Sequence, residues 1–139
     1  MLADLYPGEE VATLAPELRE VLPRDKDDFA RVDMLVALGY PTVGPVLPHL
    51  LTWLQDINWP IAGRLGSFLA SIGAPVVPLV RQVLRGDDDI WKHWVIRAVV
   101  MDLAPVVAGE LRADLERLTA VESEEDVHLD AAEVLARLA

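Results

Sequence analysis

The sequence predicts an all-α fold, an α-α solenoid of about three two-helix units behind an N-terminal helical cap. Three observations carry this. Apolar residues recur at spacings of three and four along most of the chain, the period of a helix face rather than of a strand. Between Gly39 and Asp89 a proline-marked apolar segment, an acidic turn, an aromatic-led apolar segment and a glycine stop follow one another, and the proline-marked segment then begins again. Gly39 matches Gly73, Leu35 matches Leu69, and Leu38, Pro41, Val43, Val46 and Leu50 match Ile72, Pro75, Val77, Val80 and Leu84, all at an offset of 34 residues. A repeat of that length marks stacked helix pairs, none of which buries its apolar face alone. Val76-Val77 and Val99-Val100 have strand propensity, but no Asn-Gly or Asp-Gly hairpin signal accompanies them.

The chain, residues 1–139, reads as one helical-repeat domain, with a cap segment over 1–22 and the repeat body over 23–139. In the cap, Val11, Leu14, Leu18, Val21 and Leu22 form an amphipathic pattern interrupted by Pro16. Proline suits a first helical turn, so one or two short helices are expected. Next, Asp25, Asp27 or Asp28 can cap a helix whose apolar face is Phe29, Val32, Leu35, Val36 and Leu38. Gly39 is placed to end it and Pro41 to open the next element. The three units then place helices at 43–55 and 59–72, at 75–85 and 89–103, and at 106–119 and 126–138. The third begins near Pro105, where Ala104-Pro105-Val106-Val107 echoes Ala74-Pro75-Val76-Val77 thirty residues on. Between partners lie QDIN, GDDD and AVESEE, acidic turns expected to cap the second helices. The expected core includes Leu35, Leu38, Leu50, Leu65, Leu69, Trp94, Leu115 and Val134, with Trp53. The lone glycines Gly63 and Gly66 are read as points of close helix approach.

Twenty-three acids against twelve Lys and Arg leave a formal charge of −11, which opposes binding to nucleic acid or anionic lipid and favours a basic partner. No cysteine is present, which removes disulfides, thiolate metal sites and cysteine catalysis. The opening MLADLYPGEE lacks the basic and apolar regions of a signal peptide, and Pro48, Asp56, Pro60, Arg64, Arg81 and Arg97 interrupt every apolar run. A cytoplasmic protein without a membrane partner is expected.

The densest polar feature is Gly86-Asp87-Asp88-Asp89-Ile90-Trp91-Lys92-His93-Trp94. Asp87, Asp88 and Asp89 beside Trp91 can recognise a Lys- or Arg-rich peptide by ion pairing and cation–π contact. Equally, one aspartate can cap the helix while the others are solvated and a tryptophan packs in the core. Asp56, Asn58 and Trp59 occupy the equivalent turn one unit earlier, so parallel stacking would align both turns in an acidic, aromatic rim. The alternative is that each unit simply repeats a capped turn. The aspartates lack the ligand order of a calcium loop. His49, His93 and His128 show no metal-ligand spacing, and Ser67, Ser71 and Ser123 sit in no nucleophile elbow. No cofactor and no catalytic residue is called for. Arg64, Arg81, Arg85 and Arg97 could cluster as a phosphate grip, against the overall charge.

Leu22-Pro23-Arg24-Asp25-Lys26, Gly39-Tyr40-Pro41, Trp53-Leu54-Gln55-Asp56 with Asn58-Trp59-Pro60, and Gly86-Asp87-Asp88-Asp89-Ile90-Trp91-Lys92 together resemble domain-of-unknown-function family 5071, a family of uncharacterised bacterial domains. The resemblance covers roughly residues 22–138. It implies a small HEAT-like helical fold and carries no activity to transfer.

The expected function is therefore a small acidic protein-interaction module that binds a basic protein surface or peptide, with an immunity- or antitoxin-like role as its sharper form. It is expected not to be an enzyme. A hydrolase or transferase using rim carboxylates such as Asp56 and Asp88, and a homo-oligomer joined through exposed Trp or Leu faces, are the competing readings.

Overall fold

The structure, a computed structural model, describes residues 10–138, and every regular element among them is helical. The fold is all-α, as the sequence predicts. The first nine residues of the expected cap, the Val11 side chain and Ala139 lie outside the described residues. Two short helices, α1 (Glu10–Thr13) and α2 (Pro16–Glu20), follow, with Pro16 in a first turn where its missing N–H costs nothing. Leu14 and Leu18 lean on the core, and Val21 and Leu22 are buried in it.

Helix α3 spans Phe29–Leu38, capped by Asp28, whose side chain accepts from the Arg31 N–H. Gly39, at φ 67°, ends it; Gly73, at φ 82°, ends α5 (Pro60–Ile72) in the same left-handed region, which glycine enters without a Cβ clash. The intervening element is not one regular helix. A 3₁₀ turn (Gly44–Val46), helix α4 (Leu47–Leu51) and a second 3₁₀ turn (Thr52–Gln55) follow in line, because Pro45 and Pro48 withhold N–H groups from the first turn. The next element repeats this start, with Ala74–Val76 as a 3₁₀ turn and α6 over Val77–Leu84. Helix α7 (Asp89–Ala98) ends earlier than expected, since Val99 turns to φ −121°, ψ −59° and Val100–Asp102 forms a 3₁₀ turn. The last first-helix is broken into α8 (Pro105–Ala108), a 3₁₀ turn (Gly109–Leu111) and α9 (Arg112–Thr119); α10 spans Val127–Leu138.

Helix α5 packs between α3 and α7, and α7 against α10, forming one row. In the other row α4 packs on α6, and α6 on the Gly109–Leu111 turn. Residues 52–55 with α5, α6 with α7, and α9 with α10 join the rows. Their facing stripes make a single apolar cluster from Val21 to Val134, including Leu50, Leu54, Leu65, Leu69, Ile96 and Leu115.

The 34-residue offset holds for Leu35 with Leu69 and for the two glycine stops, but not beyond them. From the 3₁₀ turns onward the elements superpose at thirty, Gly44–Val46 on Ala74–Val76, with Val46 and Val76, Leu50 and Val80, and Leu54 and Leu84 all buried. The difference is the four-residue turn over 40–43. Four residues are about one helical turn, so the slipped register still laid apolar on apolar. The echo at Pro105 is likewise not equivalent: Val106 is 82% exposed where Val76 is fully buried, and Leu111 takes the buried place instead.

Two expected core residues are corrected. Leu38 is 45% exposed, as are Phe29 and Val36 in large part, because α3 ends its row and presses only Val32 and Leu35 inward. Trp94 is half-buried and meets His93 edge-on, with ring centroids 4.4 Å apart. Trp53 is buried as expected. None of the four tryptophans is exposed, so a self-association face built on exposed tryptophan finds no such residue.

Candidate functional site

In the turn before α7, Asp88 accepts from the Trp91 N–H at 3.0 Å and caps the helix. Asp89 pairs with Lys92, whose Nζ lies 3.0 Å away and whose side chain is buried. Asp87 is exposed, and its carboxylate has no hydrogen bond or ion pair among the described residues. Trp91 packs half-buried on the core and donates its indole N–H to the Leu51 carbonyl at 3.0 Å. One acid thus caps, one neutralises lysine, and one is left over.

The turn before α5 works differently. Asp56 accepts from the Asn58 N–H at 2.9 Å, an Asx turn, and does not cap the helix as expected. The Lys26 carbonyl accepts instead from the Ile61 N–H at 3.1 Å. Asn58 is exposed, while Trp59 sits edge-on to Trp53 with centroids 5.5 Å apart at 74°. Before α10 the cap is again not an acid: Ser123 Oγ accepts from the Val127 N–H at 3.0 Å.

These bonds place the turns in sequence along one edge. Lys26–Ile61 joins the turn over 24–28 to that over 55–59, and Trp91–Leu51 holds the start of α7 against the end of α4. Beyond them a cleft of about 520 Å³ is lined by Arg85, Gly86 and Asp89 on one side and by Val121, Ser123 and Val127 on the other. Asp56, Asn58, Trp59, Asp87, Asp88, Asp89 and Trp91 therefore occupy neighbouring turns. Sequence reasoning stopped short at both ends, leaving out Asp25 and Asp27 before α3 and Glu122, Glu124, Glu125 and Asp126 before α10. RDKDD stands before α3 as GDDD stands before α7, and that parallel was the available signal.

Cations concentrate at a different place from the one expected. Asp114, buried on α9, receives Arg81 Nε at 3.1 Å, Arg85 Nε at 2.9 Å and an Arg117 terminal nitrogen at 2.8 Å. Burial works against its charge, but the hydrogen bonds from Arg117, Arg85 and Arg81 outweigh that and hold the carboxyl below its ordinary range. Arg64 pairs instead with Asp33 at 2.6 Å, and Arg97 with Asp130 and Glu133, so neither joins Arg81 and Arg85. His93 Nδ1 lies 2.5 Å from Asp130, while His128 Nδ1 accepts from the Ser123 N–H. Among the described residues no three His, Asp or Glu side chains converge in a metal-holding arrangement.

All of these turns and the three-arginine cluster fall within residues 21–137, which match a family model described as domain of unknown function (DUF5071). The chain belongs to that family. A comparison with curated proteins finds no match. The DUF5071 span begins at Val21, the first buried core residue among those described, and takes in both helix rows. No single described helix is long and apolar enough to cross a membrane; Pro60–Ile72 and Ala74–Leu84 reach that length only together, across a bend of 113°.

Proposed function

We propose that this DUF5071 domain is a cytoplasmic protein-interaction module of HEAT-like helix pairs whose edge of acidic turns binds a basic protein surface or peptide. The observation that carries this is a surplus. Capping takes one side chain in each of three turns, Asp28, Asp88 and Ser123, and none before α5, yet Asp27, Asp87, Glu122 and Glu124 are exposed carboxylates with no partner among the described residues. Like charges crowded on one edge cost stability, and a basic surface relieves that cost while steering association. An inhibitor that masks a basic toxin domain, as an immunity protein or antitoxin does, is the sharper form of this reading and rests on small size and acidity. The rival acid–base pair, Asp56 with Asp88, draws little from the geometry, since a turn or cap hydrogen bond already engages one oxygen of each carboxylate.

The test compares the natural chain with a variant carrying Asp27→Asn, Asp87→Asn, Glu122→Gln and Glu124→Gln, which leaves every cap in place. Both are expected to melt at similar temperatures. A basic protein captured from the source organism by the first, released by salt and absent with the variant, supports the module. The same partners on both proteins would sink it, and light scattering on the protein alone separates self-association from partner binding.

A further inference from the structure

The cleft at the end of the acidic edge has the opposite character to its surroundings. Three guanidinium groups share the single carboxylate of Asp114, and Lys92 also lines the cleft, with Asp89 as its one ion-pair partner among the described residues. Four cations therefore face two anions within a chain of net charge −11. Arg81 also donates to the Glu110 carbonyl at 2.9 Å, but Arg85 and Arg117 each use one N–H, both on the same oxygen of Asp114, and the rest of each fork has no protein partner among the described residues. Both line the cleft and both are about half exposed, with side-chain exposures of 60% and 52%.

Two long cationic side chains do not converge on one another without a cause. Asp114 supplies it, fixing both guanidinium groups through a buried anchor, so little side-chain freedom remains to be lost when a ligand arrives. The adjoining wall is apolar, formed by Leu118, Val121 and Val127, and the Ser123 hydroxyl, which accepts from the Val127 N–H, keeps its own proton for donation. We propose that this cleft binds a small organic oxyanion, a carboxylate or phosphate monoester with a short apolar tail. Its head sits on the forks of Arg85 and Arg117 and its tail lies against Leu118, Val121 and Val127. Guanidinium forks match either head group in two-point geometry. The cleft shares Gly86, Asp89, Val121 and Ser123 with the turns that carry the edge carboxylates, but it takes an anion where the edge takes a basic partner, so each reading is tested with a ligand of its own.

The full chain, titrated with hexanoate, hexyl phosphate, acetate and hexylammonium and followed by amide chemical shifts and calorimetry, decides it. Saturable binding of hexanoate or hexyl phosphate is expected, with shifts at Val121, Ser123 and Val127; the tighter of the two names the head group. Hexylammonium should not bind there. Arg85→Gln and Arg117→Gln should each weaken binding about tenfold, the loss of one charge-assisted contact, while Arg112→Gln, an exposed charge away from the cleft, leaves it unchanged. Acetate binding as tightly as hexanoate, shifts that map elsewhere on the natural chain, equal weakening by Arg112→Gln, or no saturable binding of either tailed anion would each overturn the proposal. Should either cleft variant unfold, the shift map of the natural chain carries the decision.

Discussion

Asp114 shows how one residue couples the fold to pH. Removing a carboxylate from water raises its pKa, yet three arginine donors bring that of Asp114 below the ordinary value. Asp28 behaves alike: burial opposes its charge, and the Arg24 and Arg31 N–H groups with the Arg31 side chain prevail. A group whose folded pKa is depressed contributes stability that is fully present above its unfolded value, about 4, and is lost as pH falls through the lower folded value. Denaturation midpoints should therefore hold steady near neutrality and fall in acid. Asp114→Asn should cost about 1–3 kcal/mol at pH 7, because it weakens charge-assisted hydrogen bonds from three partly exposed arginines, and should flatten the acid limb. An acid limb unchanged in that variant would contradict the assignment. Sequence alone offered Asp28 among three candidate caps, since caps are local. It could not offer Asp114, because two of its three arginines lie 33 and 29 residues away and meet it only when α6 packs on the Gly109–Leu111 turn that leads into α9.

At the scale of elements, helix existence and helix ends were legible, because periodicity, proline starts and glycine stops act within a few residues. Register across units was not. A slip of one helical turn preserves the apolar face, so the offset of 34 fitted where thirty is the structural match, and Pro105 repeated a local motif without its burial. Gly63 and Gly66 of α5 illustrate the same limit. Both were expected at a close approach, but only Gly66 is there: a Cβ built on it would stand 2.9 Å from the Cβ and carbonyl oxygen of Ala98, whereas one on Gly63 meets nothing within 4 Å. Gly66→Ala should thus destabilise by about 1–3 kcal/mol through overpacking of α5 on α7. Gly63→Ala, exposed and mid-helix, should stabilise by about 1 kcal/mol through helix propensity. Thermal melts of the two variants shifting in the same direction would refute this account of the contact.

Across the whole molecule, each helix of the α3–α5–α7–α10 row begins at the same edge, so the positive ends of their dipoles meet the acidic turns, and the charge pattern follows from the helix directions. The edge was half legible, because composition marked QDIN, GDDD and AVESEE as acidic turns, while only the first two were read as a rim and the turns at either end joined it once the row order was known. The same order predicts how stability is distributed. Cutting after Gly73 removes α6, which covers α4, and α7, which covers both α5 and residues 52–55, along with the Gly66–Ala98 approach and the Trp91–Leu51 hydrogen bond. Leu50, Leu54, Leu65 and Leu69 are buried in the intact chain, and in fragment 1–73 their stripes would face water on the side where the next pair had lain. A unit that shares its core with its neighbours has too little apolar burial of its own to offset chain entropy. Fragment 1–73 should therefore show weak helical dichroism and no cooperative melting transition, whereas residues 21–139 should melt in one step. A fragment 1–73 that melts as sharply as the longer chain would mean that the first pair folds alone and that the rows are assembled from independent pieces.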